Sequence, residues 1–263
     1  MRKIILFAVA LLSLSTASAW NKFAQECIAT LAYQNLTPQA KEQTTALLGG
    51  DLASASWWLQ TLTQSEQTKY TGSWHFTTVT ADLKSTTKSA KDGVVQIERC
   101  ADILRNRAEH SDSTVVAALR SVIHLVADVH NISHIRIEGC KHSRTNFKFR
   151  LSNGKPGKKE VISDLSWRKL WESSLIGRHS CYSPAMFADD LQTCYGEQKE
   201  NFSRGDIRHW VEDMATLAAP LYQWAAPDFY MSREHINRLE PLNDKSMARA
   251  GYRLAALLND IFE

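Results

Sequence analysis

Apolar residues recur at helical spacing along most of this chain. Phe23, Ile28 and Leu31 are the first such set, and they predict a helix over residues 20–34. The same reasoning predicts helices over residues 37–48, 51–62, 93–110, 113–130, 164–175, 184–200, 206–225 and 243–261. A chain of 263 residues with so many helical stretches is expected to be mainly α-helical.

One segment follows a different pattern. From Asn146 to Ser152 polar and apolar residues alternate, and the turn-forming pair Asn153-Gly154 follows directly. Alternation of this kind is typical of a half-buried strand, so a small β-hairpin is predicted here. No repeat, low-complexity tract or long linker divides the sequence. The fold class is therefore predicted to be all-α: a single multi-helix domain with one small β-hairpin.

The first residues have the composition of a secretory signal. Two basic residues come early, residues 4–14 form an apolar core, and Ala17-Ser18-Ala19 provides a cleavage site of small residues. We expect residues 1–19 to be removed and residues 20–263 to form the mature domain. The apolar run is too short for a transmembrane anchor, so the protein is expected to be secreted or periplasmic.

Charge and cysteine content add little to the prediction of binding partners and disulfides. The formal net charge is +3, and two of the positive charges lie in the predicted signal, so a general polyanion-binding surface is not indicated. All five cysteines follow the signal, and an odd number leaves at least one thiol unpaired or paired between chains. Cys181 and Cys194 bracket a short segment and are predicted to form a disulfide. The mature protein is expected to be a monomer.

The most informative segment is His124-Leu-Val-Ala-Asp128-Val-His130-Asn-Ile-Ser-His134. His124 and Asp128 are four residues apart, so a helix places them on one face, where both can reach one metal ion. The residues around the pair are apolar, and burying these polar groups without a partner would be costly. His130 faces away from the pair on a regular helix and is expected to have a structural or supporting role.

This segment resembles the pattern His-Phe-x-Gly-Asp-x-His-Gln-Pro-Leu-His of the S1/P1 nuclease family, relatives of bacterial zinc phospholipase C. Other family landmarks follow in the same order as Ser73-Trp74-His75-Phe76, Trp171-Glu172 and the closing segment from Gly251 to Asn259. Mature members begin with tryptophan, which matches Trp20. The resemblance covers essentially the whole mature chain.

The resemblance implies an all-α fold that holds up to three zinc ions and cleaves phosphoester bonds in single-stranded nucleic acid and 3′-nucleotides. Grouped zinc ions activate water and neutralise charge on phosphate oxygens. By this resemblance the first zinc is bound by His75, His124 and Asp128. The second is bound by His134 and Glu172, where glutamate replaces the usual aspartate.

The remaining family roles fall on Trp20, Asp128 and Phe76. The resemblance implies that the free amino group and carbonyl of Trp20 bind a third zinc, with Asp128 bridging to it. That role requires cleavage after Ala19, so export and metal binding would be coupled. Phe76 matches the position that stacks on a nucleobase, which is a sequence-tolerant way to hold single strands.

Several family positions carry other residues in this chain. Gln25 replaces a histidine of the third site, and Leu59 replaces an aspartate that binds the first zinc and serves as the expected base for the attacking water. Leu62 replaces an arginine that contacts phosphate. Arg168 replaces a histidine of the second site, or Ser166 does if the gap is placed differently. Neither alternative supplies an imidazole.

These replacements predict one zinc at most, at the first site, where three protein ligands remain. We further expect that the permanent charge of Arg168 substitutes for the second zinc by pairing with Glu172 and Asp128.

The leading functional hypothesis is an exported phosphoesterase or nuclease with reduced metal content. An alternative is a catalytically inactive relative that binds nucleotides, phospholipid head groups or another protein. A third is phospholipase activity, because the zinc phospholipase relatives also have glutamate where this chain has Glu172.

Overall fold

The structure, a computed structural model, describes residues 20–61, 71–86, 88–152, 162–179, 181–225 and 229–263. The predicted signal at residues 1–19 and the predicted hairpin turn at Asn153-Gly154 lie outside these residues. Helices dominate the described part, and the expected all-α fold class with minor strands is confirmed. Within the described part of the chain, no helix combines the length and the apolar composition that crossing a membrane requires.

The helices end close to the positions that the sequence pattern predicts. Their bounds are α1 (Lys22–Gln34), α2 (Pro38–Leu48), α3 (Leu52–Ala55), α4 (Trp58–Thr61), α5 (Gly93–Arg105), α6 (Asp112–Asp128), α7 (Trp167–Lys169), α8 (Pro184–Tyr195), α9 (Lys199–Phe202), α10 (Ile207–Ala218) and α11 (Arg233–Phe262). Short 3-10 turns occupy Arg107–Glu109, Ile132–His134, Lys141–Arg144, Ile176–His179, Gly196–Gln198 and Ala219–Ala225, and a π-helical turn, Leu170–Ser174, continues α7.

Side-chain hydrogen bonds cap the first turns of α1 and α6, the helices that carry Gln25 and the pair His124 and Asp128. The Asn21 side chain accepts a hydrogen bond from the backbone N–H of Ala24 and starts α1, and the Ser111 side chain does the same for Thr114 at the start of α6. Such caps satisfy backbone donors that have no partner within the helix. They fix where each helix begins, and with it which residues face the interior.

Helices α1, α6 and α11 pack together around the interior of the protein. A Cβ on Gly251 of α11 would lie 2.7 Å from Cδ2 of Leu31 on α1. Only glycine allows the two helices to approach this closely. The contact holds α1, and the residues just before it, against the rest of the molecule.

Among the described residues, five short strands form two small sheets: β1 (Thr77–Val79), β2 (Ile135–Ile137), β3 (Lys148–Ser152), β4 (Ile162–Ser166) and β5 (Tyr230–Met231). The strands β3 and β4 pair antiparallel, as the hairpin prediction requires, and β5 adds to β3 in parallel. The strands β1 and β2 pair in parallel, with Thr77 opposite Ile135 and Val79 opposite Ile137. This second sheet was not predicted, and it brings two histidine-bearing segments side by side.

The helix predictions differ most from the structure in three places. The stretch 51–62 contains two short helices, α3 and α4, and the stretch 164–175 begins as strand β4 before helix starts at Trp167. Helix α11 begins at Arg233, ten residues before the prediction, although Pro241 lies inside it. Here the side chains of Ser232 and His235 form reciprocal hydrogen bonds with the backbone, and this capping box starts the helix despite the proline.

The predicted disulfide between Cys181 and Cys194 is wrong. All five cysteines are free thiols. Cys181 lies three residues before helix α8 (Pro184–Tyr195), and Cys194 lies in its last turn. The helix rises by about 15 Å from Pro184 to Cys194, so the two cysteines lie at opposite ends of α8. That distance far exceeds the reach of a disulfide.

Candidate metal centre

His75, His124 and Asp128 converge in the interior of the protein. The Nδ1 of His75 lies 2.5 Å from Oδ2 of Asp128, and Nε2 of His124 lies 3.3 Å from the same oxygen. All three residues are at most 1% exposed. One possible ligand atom from each lies within 4.8 Å of the other two, close enough for the three to hold one metal ion.

Backbone carbonyls fix the orientation of two histidines. The Nδ1 of His124 donates to the carbonyl of Ser56 at 2.7 Å, and Nδ1 of His134 donates to the carbonyl of His75 at 2.5 Å. Because a carbonyl can only accept, each Nδ1 carries a proton, and in the neutral ring each Nε2 keeps the lone pair that a metal ion would use. Metal-binding histidines are commonly held in this way.

The Nε2 of His124 is a buried ring nitrogen without a hydrogen bond among the described residues. It faces Oδ2 of Asp128, but the geometry is not that of a hydrogen bond. A buried polar atom left in this state costs free energy unless a ligand completes it. This nitrogen therefore marks the place where the site accepts a further group.

The charges of the cluster are strongly coupled. Burial opposes the ionisation of Asp128, but His124 and His75 outweigh it and hold the pKa of this carboxyl well below its usual range. Burial likewise opposes protonation of His124, but the Asp128 charge and the hydrogen bonds raise its pKa overall. Burial lowers the pKa of His75. The Asp128 carboxylate is thus ionised.

Helix α1 supplies a neutral partner for the same carboxylate. The side-chain amide of Gln25 donates to Oδ1 of Asp128 at 2.7 Å. Nearby, the indole of Trp20 donates to the carbonyl of Ala127 at 2.8 Å, and the backbone N–H of Asn21 donates to the carbonyl of Glu172 at 3.0 Å. These bonds hold the residues that precede α1 against the ends of α6 and α7.

His134 and Glu172 form a looser pair beside the first cluster. The Nε2 of His134 lies 3.5 Å from Oε1 of Glu172, and the Glu172 side chain is partly exposed. The ring of His134 stacks on Phe76, with centroids 4.5 Å apart. The structure therefore places Trp20, His75, Phe76, His124, Asp128, His134 and Glu172 in one contiguous region.

The expected pairing of Arg168 with Glu172 and Asp128 is wrong. Among the described residues Arg168 forms no ion pair, and its guanidinium lies over the ring of Phe76, 4.8 Å from the centroid. Residues four apart stack on a regular α-helix, but the π-helical turn Leu170–Ser174 changes that spacing. The four-residue spacing therefore does not bring Arg168 and Glu172 into an ion pair.

Leu59 is buried on α4 and offers no ligand atom, as the sequence predicts. Leu62 lies outside the described residues. His130 faces away from the cluster, as predicted. Its Nδ1 donates to the carbonyl of Val126 at 2.7 Å, and Arg253 donates to its Nε2 at 3.1 Å while also pairing with Asp213.

Three contributors to the site were not predicted. Ser56 accepts from His124, and Arg136 lies over Phe76 with its guanidinium 4.1 Å from the ring centroid. A Cβ on Gly93 would lie 2.6 Å from the carbonyl of Trp74, so only glycine allows α5 to start so close to this segment. The sequence hints at two of these roles: Asp92, a residue type that commonly caps helices, precedes Gly93, and Arg136 lies between two isoleucines.

The donor sets differ in how well they fit a metal ion. The first set has three donors, all from residues that are almost fully buried, and one of them is the unpartnered Nε2 of His124. Three such donors fit a zinc ion. The second set has two donors, His134 and Glu172. At the third site the amide of Gln25 occupies an oxygen of Asp128. The residues present therefore fit one zinc ion and do not fit three.

Comparisons with known proteins give one clear result. No curated protein matches the chain. A family model described as S1/P1 Nuclease matches residues 20–263, which is nearly the whole chain and includes every residue of the cluster. The chain belongs to the S1/P1 nuclease family.

Proposed function

We propose that this protein is an exported phosphoesterase that binds one zinc ion between His75, His124 and Asp128. Its substrates are single-stranded nucleic acid or 3′-nucleotides. The observation that carries the proposal is the unpartnered, buried Nε2 of His124, which faces the Asp128 carboxylate beside His75. Membership of a nuclease family supports the hydrolysis of phosphoester bonds.

Each residue of the first set has a role that its contacts support. Asp128 provides the negative charge, and the amide of Gln25 holds its second oxygen in place. The carbonyl of Ser56 orients His124 so that Nε2 points inward. A zinc ion bound there would polarise a phosphate oxygen and lower the pKa of a bound water molecule. His134 and Glu172 lie beside this set, on the side of Phe76.

We expect hydrolysis to be slow compared with that of a three-zinc site. Leu59 has no group that accepts a proton, and the second and third donor sets each lack one histidine that the family resemblance assigns to them. Removing a positioned general base lowers rates by about 10²- to 10⁴-fold. The protein is therefore proposed to retain the reaction class of the family with reduced turnover.

A second candidate function is non-catalytic binding of nucleotides, phospholipid head groups or another protein. The hydrogen bond from Gln25 to Asp128 favours it, because the carboxylate has a partner without a third metal. The buried Leu59 favours it for a related reason, because an apolar side chain at that position cannot act as a base.

The proposal extends to processing and location. Cleavage after Ala19 would release the protein outside the cytoplasm and make Trp20 the first residue. Trp20 is fully buried, and its indole bond to Ala127 anchors it at the end of α6. Mass determination of the protein recovered from the producing cells would give the cleavage position directly.

One experiment separates the two functions. Mature protein beginning at Trp20 is dialysed against zinc, and its metal content is measured by mass spectrometry together with hydrolysis of oligothymidylate and 3′-AMP. One zinc per chain with hydrolysis that His124→Ala abolishes supports the enzyme. The matched control is His209→Ala, which removes an exposed histidine that pairs with Asp206. Less than one zinc and no hydrolysis would leave the binding function.

A further inference from the structure

The ring of Phe76 lies between one histidine and two arginines. His134 stacks on it almost in parallel, with an interplanar angle of 13°. The guanidinium groups of Arg136 and Arg168 lie 4.1 and 4.8 Å from the ring centroid. Phe76 itself is only 6% exposed, so a nucleobase could stack on it only by displacing one of these side chains.

Two separate elements bring the arginines together. Arg136 lies on β2 directly opposite Thr78 of β1, the strand that begins one residue after Phe76. Arg168 lies in α7, where its backbone N–H donates to the side chain of Asn146 at 3.0 Å. Both arginines are partly exposed. The backbone of Arg136 is thus held by strand pairing, and that of Arg168 by the hydrogen bond to Asn146.

The positive charge of this pair is not balanced by a carboxylate. Among the described residues neither Arg136 nor Arg168 forms an ion pair within 4.0 Å. The nearest acidic influence on Arg136 is Asp92, whose oxygens already accept bonds from Thr77, Thr78 and Val94. Two like charges held on one ring without a counterion favour an anion from solution.

We infer that Arg136 and Arg168, held against Phe76, form a binding site for the dianion of a phosphate monoester. Guanidinium groups present planar forks of N–H donors that match phosphate oxygens, and stacking on an aromatic ring leaves those donors free. A dianion balances two guanidinium groups, whereas a phosphodiester carries only one negative charge. In this arrangement Phe76 supports the arginines and does not itself contact the ligand.

The site also gives Arg168 a role other than an ion pair with Glu172. It lies beside His134 on the Phe76 ring, next to the proposed metal centre. A phosphate bound there would be held by arginine charge where relatives use a second zinc. Only the role of this site in hydrolysis rests on the proposed function. Binding of phosphate itself requires no metal, and the two proposals can fail separately.

The test is calorimetric titration of metal-free, full mature protein with inorganic phosphate and with 3′-AMP. We expect both to bind, and we expect Arg136→Gln and Arg168→Gln each to weaken binding by about tenfold or more, as for lost hydrogen bonds to a charged group. Arg168→Lys keeps the charge without the planar fork and should fall between. Arg150→Gln is the matched control, since Arg150 is an exposed arginine over Tyr230 at 5.9 Å. It should bind phosphate like the wild type.

Further ligands identify the group that is bound. A dinucleoside monophosphate, which carries only a phosphodiester, should bind more weakly than 3′-AMP. Vesicles containing phosphatidic acid show whether a lipid monoester is accepted as well as a nucleotide. The inference is overturned if wild-type protein does not bind phosphate, if the diester binds as tightly as the monoester, or if Arg150→Gln weakens binding as much as Arg168→Gln. Circular dichroism of each variant confirms that the fold is intact.

Discussion

The side-chain amide of Gln25 donates a hydrogen bond of 2.7 Å to Oδ1 of Asp128, across 103 positions of sequence. The family resemblance assigns a metal-binding histidine to the position of Gln25. A neutral amide donor satisfies the carboxylate without a metal ion. In the reverse orientation two oxygen acceptors would face each other, so the amide nitrogen must point to Asp128. The bond gives one oxygen of this buried carboxylate a donor where the third donor set is incomplete.

Replacing Gln25 with histidine should restore part of the third site. We expect Gln25→His to bind more zinc per chain than the wild type, because an imidazole nitrogen is a zinc ligand and an amide nitrogen is not. Metal content after dialysis measures this. The control is Gln39→His, at an exposed position of α2. Equal zinc content in Gln25→His and the wild type would contradict the prediction.

Replacing Gln25 with leucine should destabilise the metal-free protein. The change leaves Oδ1 of Asp128 buried without its partner, which costs about 1–3 kcal/mol of the free energy of unfolding. Urea denaturation of both proteins gives the difference. If the two curves superimpose, the hydrogen bond from Gln25 contributes nothing measurable.

Leu59→Asp should make stability depend on zinc. The new carboxylate would be buried, which destabilises metal-free protein by at least about 2 kcal/mol. If this position faces the first metal as the family resemblance implies, zinc should raise the melting temperature of the variant more than that of the wild type. Leu52→Asp, at a fully buried position of α3, is the control and should lose stability with or without zinc. The same zinc effect in both variants would remove Leu59 from the neighbourhood of the site.

His130 should make the protein sensitive to acid. Burial, and then the charge of Arg253, hold the pKa of His130 well below its usual value. Below about pH 6.5 the imidazole of His130 therefore binds a proton in the unfolded chain but not in the folded chain. The free energy of unfolding decreases as the pH is lowered through this range. Between pH 7.5 and 5.5 we expect this residue to account for a loss of about 1.4 kcal/mol. Urea denaturation should show a loss smaller by that amount in His130→Gln. An identical loss in both proteins would argue against the effect.

Gly251→Ala should strain the contact between α1 and α11. The added methyl group would lie 2.7 Å from Cδ2 and 2.9 Å from Cγ of Leu31. Overpacking of this kind costs about 1–3 kcal/mol, partly offset by about 1 kcal/mol from the better helix propensity of alanine. Thermal denaturation measures the net loss. In a double-mutant cycle, Leu31→Ala should reduce the cost of Gly251→Ala, and additive effects would show that the two residues do not interact.

Local sequence features predicted much of the fold and part of the site. The helical spacing in α6 predicted that His124 and Asp128 share one face, and the structure places Nε2 of His124 3.3 Å from Oδ2 of Asp128. The role of Gln25 could not be predicted, because the residue acts through a partner more than one hundred positions away. The direction of Arg168 depends on a π-helical turn, for which the sequence has no clear signal. The disulfide prediction failed because closeness in sequence is not closeness in space when a helix intervenes.

The pairing of β1 with β2 fixes the positions of His75 and His134 relative to each other. His75 is separated from β1 by Phe76 alone, and His134 immediately precedes β2. Since Thr77 pairs with Ile135, the strand register determines how the two histidine-bearing segments align. The long stretch of chain between the strands can gain or lose residues in its surface turns without moving either histidine. A single insertion next to Phe76 or His134 would shift one segment past the other, so variation in length among relatives should be confined to the turns.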